Sequence, residues 1–174
     1  MPQIALKISD VGGRTLPASA GGTAYLPQHR LRSWVRLGGE LLPREAVVDT
    51  GAPACIFSKR VWEKFHSRGA IVWVAHPPTE AGRATLPRVD VHGGNYPFRL
   101  GRIRLQLVDL DKNQLAPRDV LVICTEDVPI GPGNGPPELP RLVLVGLADV
   151  MHGRTLRVEA SADGQRWAAT LSEP

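Results

Sequence analysis

Asp49 is a lone carboxylate at the end of the apolar, β-branched run Ala46-Val47-Val48, and Thr50, Gly51 and Ala52 follow it directly. The run reads as a buried strand, so the chain must deliver a charge to a strand end inside the protein, where an unpaired carboxylate is costly. A carboxylate in that position has a task. The rest of the chain suits a fold of short strands. Its apolar runs are brief, as in Cys55-Ile56-Phe57 and Val120-Leu121-Val122-Ile123-Cys124, and 18 Gly and 16 Pro punctuate them. With 43% hydrophobic and 22% charged residues the chain can build one core, and 174 residues make about one domain.

Read along its length, the chain predicts a first strand over residues 2 to 9, then turns at Gly12-Gly13 and Gly21-Gly22. Strands near 31 to 37 and 43 to 49 lead to Asp49. Ser58 is placed to cap a short helix whose Val61, Trp62 and Phe65 share one face, ending before Gly69. A strand at 70 to 75 is broken by His76-Pro77-Pro78. From Phe98 to Leu107 a strand puts Arg102 and Arg104 on a wet face, and a further strand spans 117 to 125. Pro129 to Pro137 is a loop. Its glycines superficially suggest phosphate binding, but prolines at 132, 136 and 137 deny it the following helix that would hold a phosphate. After Gly146 a helical turn through Val150 and Met151 precedes a hairpin turning at Asp163-Gly164. No internal repeat or linker is visible, so residues 1–174 read as a single domain.

The segment Glu45-Ala-Val-Val-Asp49-Thr50-Gly51-Ala52 resembles the signature of the aspartic peptidases, in the single-domain retropepsin-like branch. The resemblance extends to Trp34-Val-Arg-Leu-Gly-Gly-Glu40 before the motif, to Cys55-Ile56-Phe57 after it, and to Leu142-Val-Leu-Val-Gly146-Leu147. It covers about half the chain by motif judgement. It implies a mostly β, closed β-barrel of the retropepsin-like acid protease type, with a short helix after the catalytic loop and another after the late glycine. Gly146 is then expected to pack behind the catalytic loop. The resemblance also implies a glycine-tipped hairpin flap between about residues 76 and 97. Gly82, in Ala81-Gly82-Arg83, and the pair Gly93 and Gly94 are the candidate tips, and the earlier is slightly preferred because Gly93-Gly94 precedes a strand like the family's post-flap element.

The chemistry needs these residue types. Peptide hydrolysis by this route uses two carboxylates close together and sharing one proton, since like charges so near cannot both ionise. One activates a water and the other protonates the carbonyl oxygen. By the resemblance Asp49 is the catalytic residue, Thr50 locks the loop, and Gly51 lets the backbone approach the carboxylates. Only one such motif is present, and the chain is too short for a two-lobed plan. A homodimer supplies the second Asp49 by symmetry, and the partner in the cleft is an extended peptide or protein substrate.

Departures from the retroviral pattern qualify the expectation. Where the family has an acidic residue after Ala52 and an arginine after the late glycine, this chain has Pro53 and Leu147, so both partners of that ion pair are missing. Pepsin-like enzymes carry Ser or Thr where Ala52 stands. Without that hydroxyl the dyad is expected to favour its protonated form, moving the activity optimum toward weakly acidic or neutral pH. The competing reading is a catalytically silent dimerisation or peptide-binding module, since a fold does not guarantee chemistry.

Other classes find little support. The net charge of +4 rests mainly on arginines that are scattered without a basic block or an aromatic-interleaved motif, so nucleic acid is not an expected partner. No apolar run is long enough to span a membrane, and the N-terminus lacks the plan of a signal peptide, so no membrane partner and a cytoplasmic location are expected. No cofactor or metal is implied, because His92 has no second ligand at suitable spacing. Cys55 and Cys124 read as free buried thiols.

Overall fold

The computed structural model describes residues 2–17, 21–49, 51–74, 86–91, 94–126, 143–146, 150–162 and 167–174. Among them are strands β1 (Gln3–Pro17), β2 (Thr23–Leu37), β3 (Arg44–Val48), β4 (Cys55–Phe57), β5 (Val72–Trp73) and β6 (Arg88–Val91). β7 (Gly94–Val108), β8 (Arg118–Thr125), β9 (Val143–Val145), β10 (Thr155–Ala160) and β11 (Trp167–Ser172) follow. The one full helix among the described residues is α1 (Lys59–His66), and Val150 and Met151 form a helical turn. The protein is mostly β, and no described helix is long and apolar enough to cross a membrane.

Six strands close a ring of pairings in the order β2-β3-β9-β4-β8-β7, and β7 returns to β2 through Trp34↔Val108 to Leu37↔Leu105. β3–β9 and β4–β8 are parallel, whereas β4–β9 is antiparallel. Alternation decides what lies inside. In β7, Ile103, Leu105 and Leu107 are buried while Arg102 and Arg104 are exposed, as the pleat requires. Ring strands and α1 share one core, with Val35, Phe57, Phe65, Leu105 and Val122 among its most buried members. Along β1 the pairing changes. Gln3 to Leu6 pair with β11, and Lys7 onward pairs with β2. The β10–β11 hairpin is thereby joined to the ring.

α1 forms where expected. Val61, Trp62 and Phe65 are its buried face, and Trp62 Nε1 donates to the buried Thr125 carbonyl at 2.7 Å. Ser58 sits at the N-cap, but it is its carbonyl that serves the helix, accepting from Val61 N at 2.9 Å and Trp62 N at 3.1 Å; the hydroxyl makes no cap bond. Gly69, with φ +69°, takes the left-handed conformation that ends the segment.

One expected turn and one expected strand are corrected. Gly12-Gly13 does not reverse the chain. β1 runs on to Pro17, and the ladder with β2 shifts register between Asp10 and Gly13. Glycine serves a β-bulge as readily as a turn, so the dipeptide alone does not distinguish them. The reversal comes at Gly21 and Gly22, with φ of +83° and +88°. The strand expected over 70 to 75 is only Val72–Trp73, since its pairing with β7 covers just Arg102 and Gly101. The loop from Pro129 to Pro137 and the Asp163-Gly164 turn lie outside the described residues, though Ala160↔Trp167 closes the flanks of the latter hairpin.

Three part-buried carboxylates brace the fold. Glu40 accepts from Arg44 and Lys64 at 2.6 Å and from Arg68 at 3.1 Å. Asp109 accepts from the Asn113 backbone at 2.8 Å, the Asn113 amide at 2.9 Å and Ala5 N at 3.2 Å. Glu173 accepts from Arg154 Nη2 at 2.6 Å and from Ala116 N at 3.0 Å, while Arg154, with a side chain 1% exposed, also donates to the Val150 and Ala116 carbonyls. For each carboxylate burial raises the pKa, but hydrogen bonds and neighbouring cations outweigh it and hold the group below its ordinary value. Asp109 lacks the cation and relies on N–H donors alone. Cys55 and Cys124 are buried and in no disulfide, and burial pushes the Cys124 thiol up to about 12.

Candidate active site

β3 ends at Val48, and Asp49 emerges half-buried at its tip. The residue is fixed from both sides. Its N–H donates to the Val145 carbonyl at the end of β9 at 3.0 Å, and Ala52 N donates to the Asp49 carbonyl at 3.3 Å, closing a tight loop. Within that loop Gly51 N donates to Asp49 Oδ1 at 2.9 Å, a charge-assisted bond that sets the carboxylate's orientation. Among the described residues Oδ2 has no hydrogen-bond partner. Thr50, expected to lock the loop, lies outside the described residues.

Gly146 follows β9 and meets the backbone of the loop after Asp49. A Cβ there would overlap the carbonyl group of Ala54 and stand 2.8 Å from the Ala52 oxygen. The two backbones touch, and space rather than an unusual φ demands glycine. β9 lies between β3 and β4, so the strand carrying Gly146 runs between the strands on either side of the Asp49 loop. Ala52 is buried and offers the carboxylate no hydroxyl. Pro53 is exposed, and Leu147 lies outside the described residues.

A small second apolar cluster stands beside this loop. Ala52, Ile56 and Leu144 form it, and Val89, Tyr96 and Ile123 pack against it. Val89 and Tyr96 are cross-strand partners in the β6–β7 hairpin, so that hairpin rests against the same residues that back the Asp49 loop. Arg88, Asn95 and Asp90 fasten it: Arg88 Nη2 donates to the Asn95 carbonyl at 2.6 Å and Asn95 Nδ2 to Asp90 Oδ1 at 2.7 Å. Pairing ends at Val91↔Gly94. Gly94 opens β7, and Gly93 lies outside the described residues. Gly82, the preferred tip, also lies outside them. Val89 and Tyr96 were not legible as site residues. Alternation around them signals strands, but only the pairing shows that they meet each other, and only the packing sets them against the cluster that includes Ala52.

Among the described residues no three His, Cys, Asp or Glu side chains are grouped to hold a metal ion. The arrangement presents a half-buried carboxylate held by backbone hydrogen bonds, with a hairpin packed beside it. No protein-family model matches the chain, and no curated protein matches it.

Proposed function

We propose that the chain is a retropepsin-like aspartic endopeptidase, acting in the cytoplasm as a homodimer on extended peptide segments, with the ring of strands serving as its barrel. The observation that carries the reading is the backing of the Asp49 loop by Gly146 at backbone contact, with Asp49 N bonded to Val145. That architecture holds one carboxylate oxygen by Gly51 N–H and leaves the other for a water.

In the dimer, Asp49 of one copy faces Asp49 of the second, and the pair holds one proton. The ionised member takes a proton from the bound water as its oxygen attacks the peptide carbonyl carbon, and the protonated member gives its proton to the carbonyl oxygen. The tetrahedral diol then collapses. Its C–N bond breaks, a proton passes to the leaving nitrogen, and the dyad returns to one shared proton. In this reading the β6–β7 hairpin, packed beside the Asp49 loop, covers the peptide and excludes water.

The test is cleavage of an unstructured peptide library by the wild type and by Asp49→Asn, from acid to neutral pH. The expected result is cutting by the wild type alone, with an optimum at weakly acidic or neutral pH. No cutting by either, at concentrations where the protein is dimeric, refutes the enzyme and leaves a silent binding module.

A further inference from the structure

Leu41 and Leu42, in the turn between β2 and β3, are 88% and 82% exposed. Scattered exposed leucines are ordinary. Two adjacent ones on a turn held this firmly are not, since each forgoes the burial that favours a leucine side chain. Gly38 and Gly39 set the turn with φ of +56° and +81°, Glu40 N bonds the Leu37 carbonyl at 3.0 Å, and the Glu40 carboxylate is tied to Arg44, Lys64 and Arg68. The leucines stand at the start of β3, whereas Asp49 follows its end, a separation of about 15 Å along the strand.

Beside them lies a pocket of 220 Å³ walled by Arg36, Arg104, Gln106, Glu40, Leu41 and Pro117, on the order of seven water volumes. Its cations are not neutralised. Arg36 Nη1 donates to the neutral amide oxygens of Gln114 at 3.1 Å and Gln106 at 3.5 Å, and its buried Nε has no acceptor. Among the described residues Arg104 has no side-chain hydrogen bond or ion pair, although Asp119 stands opposite it on β8. The one carboxylate in the pocket, Glu40, is already shared by three cations. The pocket thus presents Arg36 and Arg104, neither in an ion pair among the described residues, next to two bare leucines.

We propose that this face docks an acidic segment of a protein partner. A carboxylate enters between Arg36 and Arg104, where fork-shaped donors hold it, and a neighbouring apolar side chain covers Leu41 and Leu42. A second copy is a poor occupant, because a twofold contact would set this cationic pocket against itself. The concave pocket, which can take one side chain, favours a peptide over a lipid surface. The face operates without Asp49. If the chain is a peptidase, it recruits acidic proteins at a distance from the cleft.

The test uses Asp49→Asn protein, which separates docking from cleavage. Fluorescein-labelled short peptides carry leucine and glutamate at every relative spacing, with matched sets in which glutamine or lysine replaces glutamate; phosphatidylserine vesicles are run alongside. The expected result is binding by the glutamate set at least about tenfold tighter than by the glutamine set, weakened by salt. That binding is lost in Arg36→Gln/Arg104→Gln and in Leu41→Ser/Leu42→Ser, both with unchanged melting curves, and kept in Lys112→Gln. Equal binding of the glutamate and glutamine sets, no binding by any peptide, or capture by vesicles alone overturns the proposal. So does a change of oligomeric mass in the leucine variant, which would make the occupant a second copy.

Discussion

Gly146→Ala isolates the contact on which the candidate site is built. The new methyl would overlap the Ala54 carbonyl and approach the Ala52 oxygen to 2.8 Å. Both are backbone groups of the loop that follows Asp49, so no side-chain rotation relieves the clash. Inserting one carbon into so close a contact costs about 1–3 kcal/mol, and a backbone neighbour places this case at the upper end. Gly146 is not among the positive-φ glycines, so alanine also gains about 0.4–1 kcal/mol by restricting the unfolded chain. The net is a loss of about 2 kcal/mol. For a chain of this size that lowers the melting temperature by about 4–8 °C. Thermal unfolding followed by far-UV circular dichroism measures it, with exposed Gly22→Ala as a comparison that pays conformational strain but meets no neighbour. A Gly146→Ala protein melting with the wild type would refute the backing role. Cleavage should fall further than stability, because the displaced loop is the one carrying Asp49.

Acid should destabilise the fold. Glu40, Asp109 and Glu173 have folded pKa values below their ordinary 4.5, 3.8 and 4.5, so their stabilisation is complete above those values and is lost as pH falls through the lowered ones. Urea midpoints should be flat above about pH 5 and decline below about pH 4.5, less steeply in Glu173→Gln; a midpoint that rises toward pH 3 would contradict this. Cys124, pushed up to about 12, and buried Cys55 should resist a disulfide-exchange reagent at pH 8 and react only after denaturation; prompt reaction of the native protein would show that the core opens.

Much of the site was legible because it rests on local pattern. The runs Ala46-Val48, Cys55-Phe57, Val120-Cys124 and Val143-Val145 are buried strands as their apolar spelling requires, and Gly38-Gly39 and Gly21-Gly22 turn where glycine pairs announce turns. What was illegible depends on residues far apart in sequence. Gly12-Gly13 spells a turn, and only the register against β2 makes it a bulge. Glu40 joins cations 4, 24 and 28 residues away, a convergence no spacing rule foretells. Leu41 and Leu42 read as ordinary hydrophobes, and only the fold shows that nothing described covers them. Tyr96 gave a strand signal, but its position beside Ala52 follows from tertiary packing alone.

The place of β9 between β3 and β4 has a consequence for how the site comes into being. The two strands flanking the Asp49 loop do not form a hairpin; each is hydrogen-bonded to a strand nearly a hundred residues later in the chain. A nascent or truncated polypeptide lacking Val143–Val145 therefore has no loop of this shape, whatever else of it has folded. The Asp49 amide, bonded to Val145, should exchange with deuterium only through openings that dismantle the ring, in step with the slowest amides of the core. Until β9 is in place, the Asp49 amide lacks the Val145 carbonyl that holds it at the end of β3.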